Sequence, residues 1–358
     1  MTIVFFPPAS FQSHLLRILL WYVALRPHLL LPAWACALTG GAWAAATLDW
    51  QESDLRPEFW LLAGLAWSAA LAAIHLLNLA ADQDNDRANL KNRFWHGRIL
   101  RWHLYKTATF VAGGAVVLAG SLGRVIGVGV LITLILGISY SLPPIQLSRR
   151  WGWDMLANGL GYGLIAPWYG ACLFVGSSSP IPFPWPVIVV LFPLVAAAFL
   201  WTTIIDLPGD KLTGKISFSV RWGERRSCLV ASLLTWIGCG LAWGFFLSST
   251  VTGWNPVAVA TGGPDSMINE TWLGSITLLA AVGTVLCIKK PRPAVLIGVV
   301  VLAVAVAALP ALVRWPEWLF VGFLWLLITY TAQGILKKQL SGLSNPQLSG
   351  PLREPTAP

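Results

Sequence analysis

Long apolar stretches alternate with short polar segments along nearly the whole chain. A helix rises 1.5 Å per residue, so about 20 apolar residues cross a hydrocarbon core about 30 Å thick. Runs close to that length occupy roughly residues 28–47, 59–81, 104–121, 125–142, 155–176, 186–205, 227–247, 271–288, 293–313 and 316–334. The pattern predicts an all-α polytopic membrane protein with about nine to ten transmembrane helices. Residues 1–25 read as an N-terminal interfacial segment, because 9–25 are too short and too polar for a crossing. The transmembrane domain then runs from 26 to 336, and 337–358 read as a disordered tail rich in Pro, Ser and Gly.

Composition agrees with this and narrows the options. The 358 residues are 56% hydrophobic and 11% charged, whereas ordinary soluble domains carry about 25% charged residues. A soluble globular protein is thereby excluded. The five cysteines (Cys36, Cys172, Cys228, Cys239 and Cys287) are scattered singly, without a CxxC pair. They read as small buried hydrophobes rather than disulfides or zinc ligands. His75 lies in an apolar run and reads as a packed residue.

A net charge of +9 could point to nucleic acid, but its distribution does not. The basic residues cluster in short loops bounded by apolar runs, the positive-inside pattern of a protein in a lipid bilayer. With the N-terminus in the cytoplasm, 21 of the 24 Lys and Arg residues fall inside. Arg56, Arg124 and Arg314 fall outside, with Asp49, Glu52, Asp54, Glu58, Asp265, Glu270 and Glu317. The start of the chain carries no charged region or small-residue site of a cleavable signal peptide. Many of the 21 tryptophans, among them Trp60, Trp102, Trp151 and Trp185, stand at span ends as interfacial anchors. Trp67 and Trp201 lie inside spans, where a π face could instead stabilise a cation.

Candidate chemistry concentrates in two aspartate pairs, Asp82/Asp86 and Asp206/Asp210. Side chains four apart share a helical face, so each pair directs two carboxylates one way. Ionisable groups at membrane depth are costly and mark functional sites. A hard cation such as Mg²⁺, shared with substrate phosphates, relieves that cost. Asn78 extends the first pair by one more four-residue step. Arg87, Lys91 and Arg93 follow the first pair, and Lys211 and Lys215 the second, as phosphate-gripping cations. The first pair reads as a regular helical face. Pro208 and Gly209 break the helix between the second pair, so that pair reads as a helix end. Asp84 reads as a supporting acid or a bystander. Four crossings separate the pairs, which places both at the cytoplasmic face.

Three further strings complete the picture: Arg26-Pro27, Tyr140-Ser141-Leu142-Pro143-Pro144, and Asp206 through Gly223. Together with Asn78/Asp82/Asp86 they resemble, in order, the motifs of the UbiA superfamily of intramembrane prenyltransferases, over roughly residues 20–300. The segment Arg93 to Gly97 departs from the family's proline-containing form. Asn89 and Lys91 match an N-x-K element of a subset. The resemblance implies a helical bundle around a central cavity opening to the cytoplasmic side. It implies Mg²⁺ ions held by Asn78, Asp82, Asp86, Asp206 and Asp210, with a prenyl diphosphate donor on them. Lys91, Arg93, Lys211, Lys215, Tyr140 and Ser141 would bind the diphosphate, and a lipophilic, aromatic or quinone-precursor acceptor would receive the prenyl group. Two alternatives stand beside this: a UbiA-type terpene cyclase, and an ion-coupled transporter. The second fits less well, because transporter sites sit near the bilayer midplane.

Overall fold

A computed structural model describes residues 11–48, 56–88, 99–174, 183–252, 266–288, 295–296, 298–301, 303 and 317–341. Among these residues all regular structure is helical. Among the described residues, six helical stretches are long and apolar enough to cross a membrane: His14–Ala45, Pro57–Ala81, Arg101–Leu122, Arg124–Ser141, Trp185–Leu212 and Phe218–Phe245. The protein is an all-helical integral membrane protein, as the apolar periodicity predicts. Most of the expected span 293–313 lies outside the described residues.

The N-terminal helix α1 (Phe11–Ala24) ends where Arg26 adopts a left-handed conformation (φ 50, ψ 53). A short turn at Pro27–Leu29 then leads into α2 (Leu30–Thr47). Left-handed backbone is uncommon for a residue with a Cβ, and such strain concentrates at functional positions. The Tyr22 hydroxyl lies 3.0 Å from that of Thr329, tying α1 to the C-terminal helix.

Helix α3 (Pro57–Ala81) begins on a proline, which costs nothing at a first turn whose N–H groups lack helical partners. It is followed by the six-residue α4 (Gln83–Ala88). Helices α5 (Arg101–Leu122) and α6 (Arg124–Ser141) both pack on α3. They reverse at Gly123, whose φ of +130 suits glycine alone.

The expected crossing at 155–176 is realised in three pieces. These are α7 (Trp153–Asn158), a π-helical segment (Gly159–Ile165) and α8 (Ala166–Cys172). Helix α8 meets α2 backbone to backbone. A Cβ on Gly170 would stand 1.7 Å from the Ala37 carbonyl oxygen, and one on Gly40 2.0 Å from that of Pro167. Small residues permit this approach, and close packing substitutes for a hydrophobic force that lipid does not supply.

The second half comprises α9 (Trp185–Leu212), α10 (Phe218–Thr252, kinked at Gly223) and α11 (Ser266–Ile288). Helix α10 packs on both neighbours. The last helix, α12 (Glu317–Ser341), carries Lys337 and Lys338 in its final turns, beyond the expected domain limit at 336. Large apolar side chains such as Phe110, Val117, Leu233 and Phe323 stay exposed around the bundle, on surface suited to lipid. Inside, Trp67 stacks on Tyr169 with centroids 4.9 Å apart and meets Trp34 edge-on at 5.2 Å.

Candidate active site

The two acidic motifs stand where α3 passes into α4 and where α9 ends. Asn78 lies in the last turn of α3, Asp82 caps that helix (φ −98, ψ 14), and Asp86 lies in α4. The first motif therefore straddles a helix junction, which corrects the expected regular face. The hydrogen-bond ladder still crosses the junction: Asp82 N–H reaches the Asn78 carbonyl and Asp86 N–H the Asp82 carbonyl, each at 2.8 Å. The side chains consequently keep a shared direction. Asn78 Nδ2 donates to Asp82 Oδ2 at 2.9 Å.

The second motif departs from expectation in the opposite sense. Pro208 and Gly209 lie inside α9, which runs on to Leu212. Proline deletes one N–H bond, yet α9 continues past Pro208, which is itself exposed and stands near the helix end. Asp206 and Asp210 are thus presented by a regular helix. After it the chain reverses at Gly214 (φ +66), and Lys215 N–H bonds the Asp210 carbonyl at 2.9 Å.

A single cavity of about 440 Å³ takes in both motifs. Its polar end is lined by Asn78, Asp82, Asp86, Asp206, Asp210, Tyr140 and Lys215. The remainder runs between apolar walls that include Leu29, Cys36, Trp67, Leu71, Leu136, Ile165 and Leu194. Trp67 thus lines the cavity, while Trp201 is buried in a separate cluster with Phe218 and Leu279.

Not every expected residue reaches the cavity. Lys211 is exposed and Ser141 is fully buried, and neither is part of the lining. The reversal at Gly214 turns Lys215 inward while Lys211, on the outer face of α9, points away. Asp84 faces outward and pairs with Arg101 at 3.2 Å, so it is a bystander to the cavity. Asn89, Lys91 and Arg93 lie outside the described residues.

Two lining residues carry interactions that sequence reasoning did not assign. Arg26 donates from Nη2 to Asp86 Oδ2 at 2.7 Å and from Nη1 to Asn78 Oδ1 at 3.1 Å. Its sequence signal is the Arg26-Pro27 string, which carries the family resemblance but no role for the guanidinium. Asn85, buried between the two aspartates of the first motif, donates to Asp210 Oδ1 at 2.8 Å. Nothing in its spacing announces that contact.

The charged groups of the lining are four carboxylates, Asp82, Asp86, Asp206 and Asp210, and two cations, Arg26 and Lys215. Burial alone lowers the pKa of the Lys215 ammonium, but Asp82, Asp210 and Asp206 outweigh it and hold the pKa above its ordinary value. Asp154, at the start of α7, accepts the Phe218 N–H at 2.9 Å and so pins the segment that carries Lys215.

The donor set also suits a hard divalent cation. Asp82 Oδ1 is buried without a hydrogen-bond partner, an oxygen that a cation would satisfy. Among the described residues no three His, Cys, Asp or Glu side chains come close enough together to hold a metal ion by themselves.

Comparison with known proteins identifies the family and the fold. The UbiA prenyltransferase family matches residues 33–277. The search of curated proteins found no match. A UbiA homolog from Archaeoglobus fulgidus bound to GPP and Mg²⁺ shares 18% identity, with 82% of this chain and 99% of that chain covered and a TM-score of 0.58. The same homolog bound to DMAPP and Mg²⁺ gives a TM-score of 0.59 at 18% identity, over 82% and 98% of the two chains. A UbiA homolog from Aeropyrum pernix K1 gives 0.54 at 15% identity, over 77% and 94%. At these identities the likeness is one of fold. The family match covers well over half of the sequence, with both acidic motifs inside it, and the chain belongs to the UbiA prenyltransferase family.

Proposed function

We propose that the protein transfers a prenyl group from an isoprenyl diphosphate to a lipophilic acceptor within the membrane, in a Mg²⁺-dependent reaction. The observation that carries this reading is the joining of two aspartate motifs and Lys215 in the lining of one cavity whose other walls are mainly apolar. The neighbours solved with GPP or DMAPP and Mg²⁺ support the same donor class.

In this reading Asn78, Asp82, Asp86, Asp206 and Asp210 hold Mg²⁺, which supplies Lewis-acid stabilisation of the departing diphosphate. Lys215 and Arg26 add positive charge where the leaving group gains negative charge. Tyr140 borders the same end of the cavity and positions the donor there. Beyond it, Leu71, Leu136 and Leu194 keep the prenyl chain dry, so water does not capture the allylic carbon as its bond to oxygen breaks. The acceptor forms the new bond to that carbon, its proton passes to solvent, and diphosphate leaves. The charge asymmetry of the loops supports a cavity mouth on the cytoplasmic side. Lys91 and Arg93 stay in this reading as further cations for the diphosphate, and Lys211 does not.

The test is turnover of geranyl diphosphate by the purified protein in lipid nanodiscs. Release of diphosphate that requires Mg²⁺, with a prenylated lipophilic product by mass spectrometry, supports the reading. A cyclic hydrocarbon formed without any acceptor would assign the site to cyclisation instead.

A further inference from the structure

We propose that Asn85 is a positioning residue that couples the two acidic motifs by fixing the carboxylate of Asp210. This rests on the metal-dependent diphosphate site proposed above.

Asn85 lies in α4, is 3% exposed and borders the cavity. Its Nδ2 donates to Asp210 Oδ1 at 2.8 Å, across 125 positions of sequence. Its Oδ1 accepts a hydrogen bond from the Thr213 hydroxyl. That hydroxyl also lies 2.9 Å from the Gly209 carbonyl oxygen and 3.3 Å from that of Asp210, so it belongs to the last turn of α9. One amide thus joins the short helix of the first motif to the end of the second.

The side-chain chemistry is selective. An amide donates to a carboxylate and accepts from a hydroxyl at the same time, and it adds no charge. An aspartate at 85 could accept only, and it would set a fifth carboxylate among four. An apolar residue would leave Asp210 Oδ1 buried without its donor, which is costly. With Oδ1 engaged by Asn85, Asp210 keeps Oδ2 for a cation. Helix α4 has six residues, too few to hold its shape alone. Its register against α9 therefore depends on such cross-links, and so does the spacing between the Asp82/Asp86 and Asp206/Asp210 pairs. Loss of a partner that orients a metal ligand costs about 10- to 100-fold in metal affinity or activity.

Mn²⁺ serves as the spectroscopic probe for Mg²⁺, titrated by electron paramagnetic resonance against the full chain in lipid nanodiscs. Asn85→Ala is expected to raise the apparent Kd for Mn²⁺ by about 10-fold. Thr213→Val is expected to shift it the same way by a smaller factor, and the double variant by less than the product. In an Asp210→Asn background Asn85→Ala is expected to change Mn²⁺ binding no further, because its effect passes through that carboxylate. Should Asn85→Ala fail to fold, Thr213→Val carries the comparison. Wild-type Mn²⁺ affinity in both single variants overturns the inference, as does an undiminished effect of Asn85→Ala in the Asp210→Asn background. A wild-type protein that binds neither Mn²⁺ nor geranyl diphosphate overturns the proposed function itself, and this inference with it. A wild-type protein that binds both while Asn85→Ala is indifferent overturns this inference alone.

Discussion

Arg26 and Asp86, 60 positions apart in sequence, meet in an ion pair 2.7 Å long at the polar end of the cavity. Their side chains are only 14% and 10% exposed, and Arg26 reaches the pair from left-handed backbone. The guanidinium occupies space among the carboxylates that a divalent cation would share. The first acidic motif thereby carries its own counter-ion.

Removing that counter-ion has a measurable signature. Arg26→Met takes from Asp86 its guanidinium partner, and breaking such a buried pair costs about 3–5 kcal/mol. The melting temperature is expected to fall in metal-free buffer and to recover in part when Mg²⁺ is added. A drop of equal size with and without Mg²⁺ contradicts a shared site.

Lys215 is expected to stay charged across the working range. Its folded pKa lies above the ordinary 10.5, so the stability it contributes is full below about pH 10.5 and is lost only as pH climbs further. Lys215→Met is expected to lower kcat by about 10²–10³, the cost of one preorganised charge at a developing anion. The pH profile of the wild type should show no ionisation of this group between pH 6 and 9. Unchanged kcat in the variant would remove Lys215 from the leaving-group site.

Because α9 runs unbroken through Pro208, that proline does not create the presentation of Asp206 and Asp210. Proline in a helix interior costs about 3 kcal/mol, less near an exposed end. Pro208→Ala is expected to raise the melting temperature and leave turnover within about twofold, measured side by side. A variant that is stable but inactive shows the proline to be functional.

Much of the site was legible because it obeys a local rule. Asn78, Asp82, Asp86, Asp206 and Asp210 repeat every four residues, and helical periodicity alone predicts that each set points one way. The apolar runs likewise disclose the helices, since lipid demands them. The break points were legible only in part. Proline marks a helix end in many contexts, yet α9 absorbs Pro208 near its exposed terminus, while the junction at Asp82 has no proline or glycine to announce it. The contacts of Arg26 and Asn85 were hidden for a different reason. Each joins residues 52 to 125 positions apart, and only the packing of the turn at Arg26 on α3 and α4, and of α4 on α9, brings them together. Lys211 and Lys215 show the same limit at short range. They differ only in which side of the Gly214 reversal they occupy, and that decides which one enters the cavity.

The central claim is that the two aspartate motifs act together on one diphosphate. The most direct measurement is Mg²⁺-dependent diphosphate release from geranyl diphosphate by the wild type, Asp82→Asn and Asp206→Asn in nanodiscs. Each variant is near-isosteric and removes one carboxylate charge from one motif. The account predicts that both lose at least about 100-fold in kcat while remaining folded, as expected for losing electrostatic stabilisation of the transition state. Full activity in either folded variant would contradict it.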